Sequence, residues 1–243
     1  MLCFSRLSFA DGQDLAHGMP TVEEVYQHFF DANGGRENIR SIETMVLRGS
    51  MTDGNSASWD LKLYRKRPNK LRMQLRNAAV QIDSIFNGEQ GWQVSIDRDG
   101  NQCVSALQGD QLEGIFDMSE FHTPFYLLYS YRDRLKAEQF EEVNGVVTIR
   151  IDVAPEVPLP FASIWISTEN WQEVKLLKRS LNGVETGEAA SDVILISDHD
   201  VVGGVYVARR IENVVGGELR GVITVNDVRI NAGIFDSYFR YYE

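Results

Sequence analysis

The chain is poor in the residues that build compact chemical sites. It has two cysteines in 243 residues, Cys3 and Cys103, far apart and matching no metal-ligand spacing. Cys103 reads as small filler in a strand or turn. The four histidines, His17, His28, His122 and His199, show no His-Glu-x-x-His pattern. No Gly-x-Ser-x-Gly elbow, phosphate-cradling loop or dinucleotide fingerprint occurs; Gly34-Gly35 and Gly203-Gly204 read as a helix stop and a turn. The residues therefore call for no metal and no cofactor, and no catalytic residue is assigned. Asp198-His199-Asp200 could orient an imidazole for base chemistry in a hydrolase or isomerase, but it also reads as a solvated turn.

Positive charge is also short. Lys plus Arg is 24 against 35 Asp plus Glu, a net charge of −11. Phosphate binding needs clustered cations, so nucleic acid and anionic membrane surfaces are poor partners. No apolar run reaches about 18 residues, so an integral membrane helix is not expected. What is present is an ordinary globular balance, 43% hydrophobic and 10% aromatic, enough for one large core.

Residues 1–19 read as lying outside the fold. Ser8 and Ala10 are small residues two apart, as signal-peptidase cleavage requires, and the apolar stretch before them is short. Two readings stand side by side: the tail of a secretory signal, or a disordered arm. Residues 20–243 read as a single domain.

Thr21 and Glu24 form a capping box, and Val22, Val25, Tyr26, Phe29 and Phe30 follow as one helical stripe. A short turn then carries Ile39 and Ile42. From about residue 43 the period changes to 2. Strands are expected over 43–52, 59–63, 70–76 and 92–97, with turn signals at Asp53-Gly54-Asn55, Pro68-Asn69, Asn87-Gly88 and Asp99-Gly100-Asn101. The pattern breaks at 107–136, where Leu107 to Met118 allows a weak helix. Thr123-Pro124 then gives an N-cap with proline at the first helical position. Phe121, Phe125, Tyr126, Tyr129 and Tyr131 cluster there, either as a lid or simply as core. Strands resume at 138–143, 146–153, 161–167, 172–181, 189–199, 204–215 and 218–230, and the aromatic tail Phe235 to Tyr242 is expected to pack on the sheet.

Alternation of this kind means antiparallel pairing, and about a dozen strands tend to curl. The expected fold is mainly β: an incomplete antiparallel barrel, or half-barrel, with an N-terminal helix and a helical lid over an apolar cavity.

Two motifs carry a resemblance. Tyr64-Arg65-Lys66-Arg67-Pro68-Asn69 ends an early strand, and Thr123-Pro124-Phe125-Tyr126-Leu127-Leu128 opens the helical insertion, with Phe86-Asn87-Gly88 and Trp92 between them. In order and rough spacing, over residues 21 to 181, this resembles the LolA/LolB-like lipoprotein carriers of the bacterial envelope. The resemblance implies a periplasmic, exported protein whose cavity takes acyl chains, for transport to the outer membrane. It also implies that Arg67 gates the lid through hydrogen bonds. The implied partner is a lipid or an acylated lipoprotein.

Alternation then nominates a ligand-binding lining of Trp59, Leu61, Leu63, Leu71, Met73, Leu75, Val80, Ile82, Trp92 and Val94, with Phe125 and Leu128 from the lid. All are expected on the concave side. The chain departs from the family in its longer C-terminal part, from about 186, and in lacking a usable lipobox cysteine. That excess leaves a second reading open: a LolA-like interaction or sensor protein that binds an envelope protein partner and answers to lipid.

Overall fold

The computed structural model describes residues 18–179 and 192–241. The expectations for most of the 1–19 arm, with Cys3 and His17, lie outside the described residues, as do the turn at Asn182-Gly183, the start of the strand expected from 189, and Tyr242.

Helix α1 (Val22–Ala32) opens the fold. Thr21 caps it, with its side chain accepting from the Glu24 N–H while Glu24 reaches back to the Thr21 backbone. Such a pair stabilises a helix by roughly 1 kcal/mol. The helix stops where Gly34 turns to φ +71° and Gly35 N–H bonds the Phe30 carbonyl. Helix α2 (Arg36–Arg40) follows.

Six strands come next: β1 (Thr44–Asp53), β2 (Ser58–Lys66), β3 (Lys70–Arg76), β4 (Val80–Phe86), β5 (Gly91–Asp97) and β6 (Gln102–Ala106). A helical strap interrupts them, made of α3 (Asp110–Ser119), α4 (Pro124–Leu128) and a 3-10 turn (Tyr129–Arg134). Seven strands complete the chain: β7 (Leu135–Val143), β8 (Val146–Val153), β9 (Phe161–Ser167), β10 (Glu173–Lys178), β11 (Asp192–Val202), β12 (Val205–Val215) and β13 (Glu218–Ile230). A last 3-10 turn covers Asp236–Phe239.

All thirteen strands form one antiparallel sheet in the order β6-β5-β4-β3-β2-β1-β13-β12-β11-β10-β9-β8-β7. The sheet is not closed, so the fold is the expected open half-barrel with helices on one face. Its topology explains the strap. β6 and β7 follow one another in sequence but are the two opposite edges of the sheet. The connection between them has to cross the whole inner face, and the strap is that crossing. The C-terminal strand β13 returns to pair with β1 at the sheet's centre, from Met45↔Ile230 to Asp53↔Gly221. A bulge at Arg48/Gly49 brings the two backbones so close that a Cβ on Gly49 would meet the Thr224 carbonyl oxygen at 1.8 Å. Only glycine fits there.

Two cores hold the helices to the inner face. On the β7–β11 half, α1 and α4 bury Tyr26, Phe29, Phe125 and Leu128 against Ile149, Ile151, Ile164, Ile166 and Leu176. Each such side chain contributes about 1.5–3 kcal/mol on burial. On the other half, α3 packs Ile115 on Leu71, Phe86 and Leu107.

The outer face is not uniformly wet. The tail packs on it over β2 and β3. The Tyr238 ring sits 4.8 Å from Tyr64 and 4.6 Å beneath the Arg72 guanidinium, Asp236 pairs with Lys66 and Lys70, and Phe239 is fully buried. Cys103 lies exposed on edge strand β6, which corrects its expected role as filler.

Candidate ligand-binding site

Directly paired residues of an antiparallel sheet share a face, so register sorts the candidate lining. Leu61 pairs with Leu75, and Leu75 with Ile82; Leu63 pairs with Met73. Leu71 pairs with Phe86, and both lie under α3. Trp59, Leu61, Leu63, Leu71, Met73, Leu75, Val80 and Ile82 therefore all face inward. On β5 the inward positions are Gly91, Gln93 and Ser95, the partners of Phe86, Ser84 and Ile82.

Trp92 and Val94 consequently point to the outer face, paired with Ile85 and Asp83. This corrects their expected placement. On β5 the apolar Trp92 and Val94 take the outer phase, and the small or polar Gly91, Gln93 and Ser95 take the inner one. Alternation reports the period of a strand but not which phase is inside. The inner side of β5 has to be small, since a Cβ on Gly91 would lie 3.0 Å from Leu107 Cδ1.

Phe125 and Leu128 are also not on the same surface as the strand lining. Both are fully buried in the solid core of the other half, with Phe125 stacked on Tyr26 at 4.1 Å and edge-on to Phe29. The expected space beneath α4 is filled by the protein's own aromatics.

The apolar surface that remains open lies between the two cores. One cross-strand row runs Trp59–Met51–Ile223–Ile211–Ile196 over β2, β1, β13, β12 and β11. Every member keeps part of its surface accessible, as do Leu63, Met73, Val80 and Ile82, while Leu61 and Leu75 lie buried among them. Together they make a partly accessible apolar strip across the inner face of the half-barrel, called the trough below. Met51, Ile196, Ile211 and Ile223 went unnamed from the sequence. Their alternation was visible, but nothing local said that β13 would return beside β1.

The strap is pinned near its middle, at His122 and at Phe125. At the first point stands Arg67, which donates through Nε to the Ile42 carbonyl (2.7 Å) and through Nη2 to the Ile39 carbonyl (3.0 Å). Its Nη1 lies 3.0 Å from His122 Nε2, and its guanidinium sits over the Phe121 ring at 4.6 Å. The His122 ring stacks on Tyr126 at 4.1 Å and meets Glu120 at 3.2 Å through Nδ1. These bonds, His122 first among them, hold the Glu120 carboxyl below its ordinary value. At the second point, the Glu173 carboxylate on β10 accepts from the Phe125 N–H, and the Tyr26 hydroxyl donates to the Phe125 carbonyl at 3.0 Å. Burial pushes the Glu173 carboxyl up to about 7, against the pull of that N–H and of the Thr123 hydroxyl.

The Asp198-His199-Asp200 trio does not form a relay: Asp200 pairs with Val207, which packs with Ile42 and Phe121 on the inner side, while His199, paired with Ala208, has the outer parity. Asp198 is bulged at φ +55°, and the Asp200 carboxylate is committed to Arg209 at 2.7 Å. Burial holds the His199 imidazole below its ordinary value. Asp198 and His199 line a cavity of about 330 Å³ with Glu169, Asn170 and Glu212. Among the described residues no group of His, Cys, Asp and Glu is arranged to hold a metal ion, and no helix is long and apolar enough to cross a membrane.

No family model matches the chain, and no curated protein does. Solved structures do. The fold is similar to a DUF1329 family protein from Desulfovibrio piger, at 11% identity and a TM-score of 0.56, covering 90% of this chain and 97% of that one. It is similar also to a LolA superfamily protein from Nitrosomonas europaea, at 10% identity and a TM-score of 0.53, covering 91% and 98%. The chain has a LolA-like fold. At such identities the likeness establishes architecture and nothing about cargo.

Proposed function

We propose that this is an envelope protein, exported to the periplasm, that holds a lipid or lipoprotein acyl chain in its inner trough without covalent chemistry, for passage toward the outer membrane. The observation that carries this reading is the half-open row Trp59–Met51–Ile223–Ile211–Ile196 and its neighbours Leu63 and Met73. A large inward apolar surface left uncovered by the protein's own helices is costly in water unless a ligand covers it. An acyl chain gains about 0.8 kcal/mol per buried methylene there. In this reading Arg67 is the gate, releasing the Ile39 and Ile42 carbonyls and the His122 contact when the strap moves to admit cargo.

The test is denaturing extraction of the purified protein followed by mass spectrometry. Recovery of a stoichiometric acyl lipid supports the reading. Lipid-free protein that also fails to take up N-phenyl-1-naphthylamine, a neutral apolar dye, overturns it.

A further inference from the structure

Two arginines of the same motif sit two residues apart on the inner face and are treated oppositely by the fold. Every nitrogen of Arg67 has a partner. Arg65 has none: among the described residues it makes no hydrogen bond, no ion pair and no ring contact, and its Nε is sealed from solvent without an acceptor. Among the described residues it is the one arginine not largely exposed that is left in this state. Arg72 and Arg209 each have an unpaired nitrogen but are held by Asp83 and Asp200, and Arg36 lies over the Tyr129 ring at 4.4 Å.

Arg65 pairs across the sheet with Met45 on one side and Leu71 on the other. Leu71 belongs to the core under α3, and Met45 to the cluster around Ile42 and Phe121. The guanidinium therefore stands in the seam between two apolar packs. Burial pulls its pKa down to about 10, so it stays charged at neutral pH. The Glu120 carboxylate acts on Arg65 through space and opposes that fall, but it is engaged with the His122 N–H and ring and forms no ion pair with Arg65. Yet the residue is not sealed entirely; part of its surface stays accessible. A charged group with its Nε desolvated and unsatisfied, and with only solvent to meet its other nitrogens, is under-satisfied in the empty protein. It calls for an anion.

The position says which kind. Leu63, Leu61 and Trp59 continue along β2 from Arg65 on the same face, a span of about 20 Å at strand rise. Along that path Leu63 and Trp59 keep part of their surface accessible, with Leu61 buried between them, and its length suits an extended acyl tail. We propose that Arg65 anchors the oxyanion head, a carboxylate or a phosphate monoester, of a single-chain amphiphile whose tail lies from Leu63 toward Trp59. A guanidinium offers a planar fork that matches both heads. This deepens the acyl-chain reading and rests on it.

The experiment uses the full chain and displacement of N-phenyl-1-naphthylamine by laurate, dodecyl phosphate, dodecanol and dodecyltrimethylammonium, with inorganic phosphate as a head without a tail. The parent is expected to bind an anionic C12 ligand at least tenfold tighter than dodecanol, and the cationic ligand weakest. Laurate against dodecyl phosphate separates a fatty acid from a lipid phosphate as the source of the head. Arg65→Met is expected to lose the tenfold preference while its dodecanol affinity stays within twofold, and to unfold at a higher temperature, since an unpaired charge has gone. Arg65→Lys keeps part of the preference.

Equal binding of all four amphiphiles by the parent, or an intact preference in Arg65→Met, overturns the anchor and leaves the trough standing. Displacement by inorganic phosphate as effective as by dodecyl phosphate overturns the amphiphile. Failure of the parent to bind the dye or any tail removes the trough itself.

Discussion

The sharpest prediction concerns Glu173. Its carboxylate is buried on β10 and accepts from the Phe125 N–H, so it ties the strap to the sheet. Its pKa is pushed up to about 7 by burial, whereas the unfolded value is 4.5. The native protein thus holds this proton more tightly than the unfolded chain. The stability it contributes is fully present below about pH 4.5 and is lost as pH rises through 7. At about 1.4 kcal/mol per pH unit, the gap is worth roughly 3 kcal/mol in all, and roughly 2–3 kcal/mol between pH 5 and pH 8.

Other groups act in other directions. His199 is held below its ordinary value of 6.5, so its contribution grows as pH rises toward 6.5. Glu24, Glu120 and Glu141 are held low and matter only in acid. A difference measurement removes them. Glu173→Gln keeps an acceptor for the Phe125 N–H and deletes the titration. Urea midpoints at pH 5, 6, 7 and 8 are expected to show the parent losing roughly 2–3 kcal/mol relative to the variant across that range. Parallel stability profiles for the two proteins would refute the buried-acid argument.

Two further outcomes are expected. Arg67→Leu strands the Ile39 and Ile42 carbonyls and frees His122; with bonds to charged groups worth about 1.5–3 kcal/mol, the loss is roughly 2–4 kcal/mol. Hydrogen exchange should quicken at residues 120–126 first, and dye release should speed up; an unchanged release rate contradicts the gate. Met73→Asp puts a charge on the trough floor and is expected to abolish dye uptake at a stability change of about 1 kcal/mol, whereas Trp92→Ala on the outer face leaves uptake as it was. Titrating both variants with the dye checks this, and the inner-face assignment fails if Trp92→Ala is the one that loses uptake.

Much of the architecture was local and therefore readable. The Thr21–Glu24 box, the change of period near residue 43, the Thr123-Pro124 start and the bounds of β8, β9 and β13 depend on interactions within a few residues. Side-chain spacing and turn chemistry specify such features without reference to the rest of the chain. The open half-barrel followed from strand count, and the Arg67 clamp was legible only through a motif whose meaning came from resemblance.

What stayed illegible depended on partners distant in sequence. Trp92 and Val94 alternate as well as Leu71 and Met73 do, but a two-residue period is symmetric, and only the register of β5 on β4 decided which phase looked inward. Phe125 and Leu128 were identified as apolar and helical. That they fill a core with Tyr26 and Phe29, instead of roofing a cavity, was fixed by α1 packing from the far end of the chain. The trough itself exists because β13 returns to β1 and carries Ile223 beside Met51. Sequence determined which residues are apolar and with what period; the order of strands determined which of them meet, and that order is a property of the whole chain.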